Sequence, residues 1–111
     1  MNEAEKMKRK MRSGAFRENN GRVLRALNIL RHDFVSLRDV KYAVEEIPEN
    51  QYLDSLNYLR ESDYIHLRNI ETGELVQFGL ADMDYKDLEA KLTKNGIKLL
   101  SFSIKDEDVV I

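Results

Sequence analysis

The sequence predicts a small α+β domain, with helices first and strands after them. Three observations carry this. Apolar residues recur at helical spacing between Val23 and Leu59. They then alternate with polar ones in "YIHLRNI", residues 64 to 70. Punctuation falls between the runs, at Ser36, Ile47-Pro48, Ser62-Asp63 and Gly73. At 111 residues the chain is one domain's worth, enough for a single hydrophobic core and too short for two.

Residues 1–15 form a basic N-terminal arm, in which Lys8, Arg9, Lys10 and Arg12 are interrupted by Met11 alone. Ser13-Gly14 reads as a break, so the arm is expected to be flexible or a short separate helix. Met7 and Met11 share one helical face, which would suit a partner subunit, the plainer alternative being an unpaired frayed end. The domain proper spans 16–104. Its first helix is "NNGRVLRALNILRHDF": Val23, Leu27 and Leu30 repeat, Leu24 widens the stripe, and Asn19 or Asn20 is placed to cap it. Arg22 and Arg25 lie on its polar side, and His32-Asp33 ends it. Ser36 is the N-cap of a second helix, with Asp39 three residues on and Val35 and Val40 at the staple positions. Pro48 breaks that helix and opens a third, because proline disfavours helical geometry before it and needs no N–H in a first turn.

The third helix buries Tyr52, Leu56 and Leu59 and turns Asn50, Gln51, Asp54, Asn57, Tyr58 and Glu61 outward. Ile65 and Leu67 point inward from the following strand. "ETGE" is a turn around Gly73, and "LVQFGL" suits a returning strand. Residues 82–92 admit two readings, a helix capped by Asp84 or a strand over 88–92. The strand is preferred, because Thr93 makes a good cap for a last helix, "KNGIKLLSFSI". Residues 105–111 form an acidic then apolar tail.

The chain has no cysteine, which excludes disulfides, thiolate zinc sites and a thiol nucleophile. With no apolar run long enough to span a bilayer and no signal-peptide core, a cytoplasmic protein without membrane contact is expected. Charge is uneven. Between Lys6 and Lys41 there are eleven Lys and Arg against three acids, whereas from Gln51 onward there are seven against twelve. That asymmetry points to a polyanionic partner, the plainer alternative being a solvated N-terminal tail. No catalytic constellation is present: His32 and His66 sit in different elements, and Asp82, Asp84 and Asp87 lack the spacing of a calcium loop. No enzyme activity, metal or cofactor is expected.

The segment "SLRDVKYAVEEIPENQYLDSLNYLRESDYI", closed by "LTKNGIKLL", resembles the winged helix-turn-helix superfamily. "DLEAKLTKNGIKLL" is similar to small prophage-encoded winged-helix proteins. The likeness covers about residues 20 to 104 and departs from the usual pattern at Asp63, where a Gly is commoner. It implies three N-terminal helices, a small antiparallel β-wing and a C-terminal helix. It also implies duplex DNA as partner and a role as a small transcriptional regulator. On that reading the third helix enters the major groove, with Asn50 and Gln51 suited to adenine and Asp54, Asn57 and Tyr58 further along. Arg38 and Arg22 lie over the backbone, Arg68 reaches phosphate from the strand, and the arm grips with Lys8, Arg9, Lys10 and Arg12. Against this, Glu49, Asp54 and Glu61 outnumber Arg60 on the third helix. An acidic probe suits phosphates poorly, so the alternative is a docking module for a protein partner, with Leu53 and Tyr58 in its surface. Two half-sites and the apolar Phe102, Ile104, Val109, Val110 and Ile111 motivate a homodimer.

Overall fold

A computed structural model describes residues 2–29, 33–77, 79–80 and 83–111, with the backbone alone for Arg12 and Ser13. It opens on one unbroken helix, α1 (Glu3–Asn28). The expected break at Ser13-Gly14 does not occur, so the basic arm and the first core helix are a single rod. The start is set by Asn2, whose side chain accepts from the Glu5 N–H at 2.8 Å, with Glu3 and Glu5 complementing the helix dipole. Asn19 and Asn20, expected as caps, lie mid-helix and are buried. Together with Gly21 they are poor helix formers, about 2 kcal/mol below three alanines. Tertiary partners override that preference. The expected helix end at His32, and Leu30 of the stripe, lie outside the described residues.

A two-residue strand, β1 (Val35–Ser36), precedes α2 (Leu37–Ala43), whose N-cap is Ser36 as expected, accepting from the Arg38 N–H. The helix ends at Ala43, earlier than Pro48 requires, and residues 44–47 make a turn closed by Ile47 N–H to Val44 C=O at 3.0 Å. Pro48 is the N-cap of α3 (Glu49–Glu61) and not its first residue, its carbonyl accepting from Tyr52 N–H at 2.9 Å. Tyr52, Leu56 and Leu59 are buried on α3, and the Tyr52 hydroxyl donates to the Leu37 carbonyl at 2.7 Å, fastening α3 to α2. Asp63 turns the chain at φ +63°, a left-handed conformation that Asp tolerates better than most residues.

β2 (Ile65–Asn69) pairs antiparallel with β3 (Leu88–Leu92), and β1 pairs with the other edge of β3, giving the sheet order β1-β3-β2. Leu67 and Val35 both register with Ala90. Residues 88–92 are therefore strand. The expected return strand "LVQFGL" is reduced, among the described residues, to one bridge between Arg68 and Leu75. Asp84 caps a single 3₁₀ turn (Tyr85–Asp87) just before β3. Thr93 caps α4 (Lys94–Leu100), accepting from the Gly96 N–H at 3.1 Å. The protein is thus a mixed α+β fold, with four α-helices and a three-stranded antiparallel sheet among the described residues.

One core joins Val23, Leu24 and Leu27 of α1 to Leu37, Val40, Tyr52, Leu56 and Leu59, and to Ile65, Leu67, Leu88, Ala90 and Leu92 of the sheet. Residues 105–111, expected as a tail, pack against it through Val109 and Ile111. Val109 is buried, Val110 N–H donates to the Arg17 carbonyl at 3.1 Å, and Asn20 Nδ2 donates to the Asp108 carbonyl at 2.9 Å. Gly21 is required by that crossing, since a Cβ there would sit 1.7 Å from the Val110 oxygen. No described helix is long and apolar enough to cross a membrane.

Candidate nucleic-acid interface

Two surfaces carry the residues singled out above. The first is the N-terminal half of α1. Lys6, Lys8, Arg9 and Lys10 are exposed, and their side chains meet no partner among the described residues. Arg12 lies on the same helix, but its side chain is outside the described atoms. At 1.5 Å rise per residue, Lys6 to Lys10 span only about 6 Å of helix, with Lys6, Arg9 and Lys10 on one face and Lys8 on the opposite side. Met7 and Met11 are 65% and 73% exposed on this stretch.

The second surface is α3. Asn50 and Asp54 are exposed. Gln51, by contrast, accepts a hydrogen bond from Asn19 Nδ2 at 3.1 Å. Asn57 accepts from Arg60 Nη2 at 3.2 Å. Tyr58 is drawn away from solvent: its ring stands edge-on to Phe16 at 5.2 Å, and its hydroxyl donates to Asp106 Oδ2 at 2.7 Å. The outward line of α3 is accordingly Asn50, Asp54, Asn57 and Glu61, spaced as one helical face. Arg60, the one base on this helix, has a side chain only 13% exposed and reaches Glu61 at 3.5 Å. It therefore lends little charge to that face. A groove of about 320 Å³ separates the two helices, lined by Ala15, Phe16, Asn19, Asn50, Gln51 and Asp54.

The remaining basic candidates divide. Arg38, in the first turn of α2, is exposed and its side chain meets no partner among the described residues. Arg22 pairs with Glu46 at 3.4 Å, an exposed ion pair that water screens. Arg68 pairs with Glu89, and its guanidinium lies 3.6 Å from the centre of the Phe34 ring. A side chain held from both sides is poorly available to a phosphate. His66 faces solvent from β2, as expected of an outward strand position.

The structure also assembles a cluster that sequence spacing did not suggest. The Tyr58 and Tyr64 hydroxyls both donate to Asp106 Oδ2 at 2.7 Å, and Asp108 N–H donates to Oδ1 at 2.8 Å. Burial pushes the Tyr58 hydroxyl up to about 12, helped by its hydrogen bond to the carboxylate, and raises Tyr64 likewise. Burial works to raise the Asp106 carboxyl, but the two hydroxyls and the Asp108 N–H outweigh it and hold the group below its usual value. These partners lie more than 40 residues apart in sequence.

Asp82 of the acidic triplet lies outside the described residues. Among those described, no cluster of three His, Asp or Glu side chains is placed to hold a metal ion. Of the apolar residues expected to pair two copies, Val109 is spent in the core, while Phe102 (77% exposed) and Val110 (48%) remain outside it. Compared with protein-family models, with curated proteins and with solved structures, the chain matches none of them.

Proposed function

We propose that this protein is a winged helix-turn-helix domain that binds duplex DNA, acting as a small cytoplasmic transcriptional regulator. In it α2 and α3 form the helix-turn-helix, and β2 and β3 with their connection form the wing. The observation that carries the reading is the exposed basic cluster Lys6, Lys8, Arg9 and Lys10, continuous with a core helix. Affinity for DNA comes largely from neutralising phosphates, and this cluster, with Arg38, supplies cations where α3 does not. Asn50 is the best-placed base reader, exposed in the first turn of α3 and able to make a two-point contact with adenine. Arg68 and Tyr58 drop out as contacts, because Glu89 and Asp106 already hold them.

The test is fluorescence anisotropy of labelled mixed-sequence duplex at low and physiological salt. Binding that weakens steeply with salt, and is lost on deleting residues 2–12, supports the reading. Absence of binding at low salt refutes it. One observation favours a second reading: the outward line of α3 carries Asp54 and Glu61 with Arg60 tucked away. That face suits a basic protein partner. A docking module of this kind would bind no DNA and would lose its partner on Asp54→Lys.

A further inference from the structure

Asn19, Asn20 and Gly21 stand in the middle of α1, where helix propensity is weakest, and each is tied to something outside the helix. Asn19 Nδ2 donates to Gln51 Oε1 at 3.1 Å. Asn20 Nδ2 donates to the Asp108 carbonyl at 2.9 Å. Gly21 leaves room for the Val110 carbonyl, and Arg25 Nη1 reaches the same oxygen at 3.4 Å. Two residues before this run, the Arg17 carbonyl accepts from Val110 N–H at 3.1 Å. Residues 105–111, which make all of these contacts but the one to Gln51, are further held by the Tyr58–Asp106–Tyr64 link and by the buried Val109.

The run also carries the signature of a helix start. Asn20 Oδ1 is buried with no hydrogen-bond partner. Were Asn20 an N-cap, that oxygen would accept from an N–H two or three residues on, its usual role at such a position. The continuous helix therefore leaves one acceptor unmet that a broken helix would satisfy. Upstream of the run, residues 3–11 are exposed all round, and Phe16 packs edge-on against Tyr58.

We propose that residues 105–111 are a releasable strap that decides whether α1 is one helix or two. Docked, the strap holds α1 straight across Asn19–Gly21 and fixes the direction of the Lys6–Lys10 patch against α3. Released, α1 breaks at the run, Asn20 caps the half that stays in the core, and the basic half moves independently. The device requires no ligand and does not rest on the DNA-binding reading.

The chain has no cysteine, so a spin-label pair introduced by Met7→Cys and Glu61→Cys reports the angle between α1 and α3 cleanly. The distance distribution is measured alongside amide exchange, first in this labelled parent and then with Asp106→Ala or Asn20→Ala added. The parent is expected to give one narrow distance. Asp106→Ala removes the carboxylate that both hydroxyls hold, so exchange should rise about tenfold or more at 106–111 and at 17–21 together, and the distance distribution should broaden. Asn20→Ala deletes one strap contact but replaces a poor helix former with the best one. Exchange should then rise at 106–111 while the distance stays narrow. A broad distribution in the parent overturns the proposal. So does Asp106→Ala that leaves exchange at 17–21 and the distance unchanged. Should Asp106→Ala fail to fold, Tyr64→Phe, which removes one donor from the same carboxylate, is read in the same way.

Discussion

Gly14 and Gly21 are two helical glycines in the same rod, and replacing each with Ala should move stability in opposite directions. In an exposed helix interior Ala is favoured over Gly by about 1 kcal/mol. A Cβ on Gly14 meets nothing within 4 Å, so Gly14→Ala should realise that gain. At about 2.1 cal/mol/K of unfolding entropy per residue, 1 kcal/mol corresponds to about 4 °C in Tm for a chain of this length. A Cβ on Gly21 would lie 1.7 Å from the Val110 oxygen and 2.8 Å from its carbonyl carbon. Both are backbone atoms and cannot rotate aside. Either residues 105–111 leave, exposing Val109 and breaking the bonds to Arg17 and Asn20, or α1 shifts off the core. Losing Val109 burial alone is worth about 1.5–3 kcal/mol, and each hydrogen bond about 1. Chain entropy regained by the freed segment offsets much of this. A net loss of about 2 kcal/mol, or about 8 °C, is expected despite the better propensity. Thermal unfolding followed by circular dichroism is the assay. If Gly21→Ala raises Tm together with Gly14→Ala, residues 105–111 do not cross α1 at this point, and the account of the mid-helix glycine is wrong.

Four further outcomes are expected. Tyr52→Phe leaves the Leu37 carbonyl without its hydroxyl donor in a buried site and should cost about 1–3 kcal/mol in denaturant unfolding. The Asp106 carboxyl is held below its ordinary 3.8, so the stability it contributes is present above about pH 4 and lost as pH falls through the folded value; Asp106→Asn should flatten the fall in stability below pH 4. Phe102 sits at φ +64° with its ring 77% exposed, so Phe102→Gly should relieve left-handed strain and raise stability by about 1 kcal/mol in thermal melts. In DNA titrations, Lys8→Ala with Lys10→Ala should reduce the slope of log affinity against log salt by about 2, whereas Arg68→Ala should leave it unchanged.

The residues chosen for the site were legible as types and only partly as a surface. Arg38, Asn50 and Asp54 are exposed, as helical spacing implies, and Lys8, Arg9 and Lys10 are exposed as expected of a basic arm. Gln51, Asn57, Tyr58, Arg22 and Arg68 were also assigned outward, yet each is engaged by a neighbour. Periodicity places a residue on a face. It does not say what another element lays across that face.

The same division runs through the fold. Local sequence by itself determined α2, α3, β2, β3 and α4, because their caps, apolar spacing and turn residues act within a few positions: Ser36, Thr93, Tyr52-Leu56-Leu59, and Asp63 in its left-handed turn. Tertiary structure decided the rest. Asn19-Asn20-Gly21 has the local chemistry of a helix start, yet it lies inside a helix, where Gln51 and Asp108 accept from the two side-chain amides and Val110 passes close over Gly21. β1 exists only through its pairing with β3, and of "LVQFGL" the described residues keep one bridge, Leu75 to Arg68, on the edge of β2 that β3 leaves open. Contacts over long sequence separation carry free energies comparable with the propensities they oppose. Where the two disagree, the packed partners prevail.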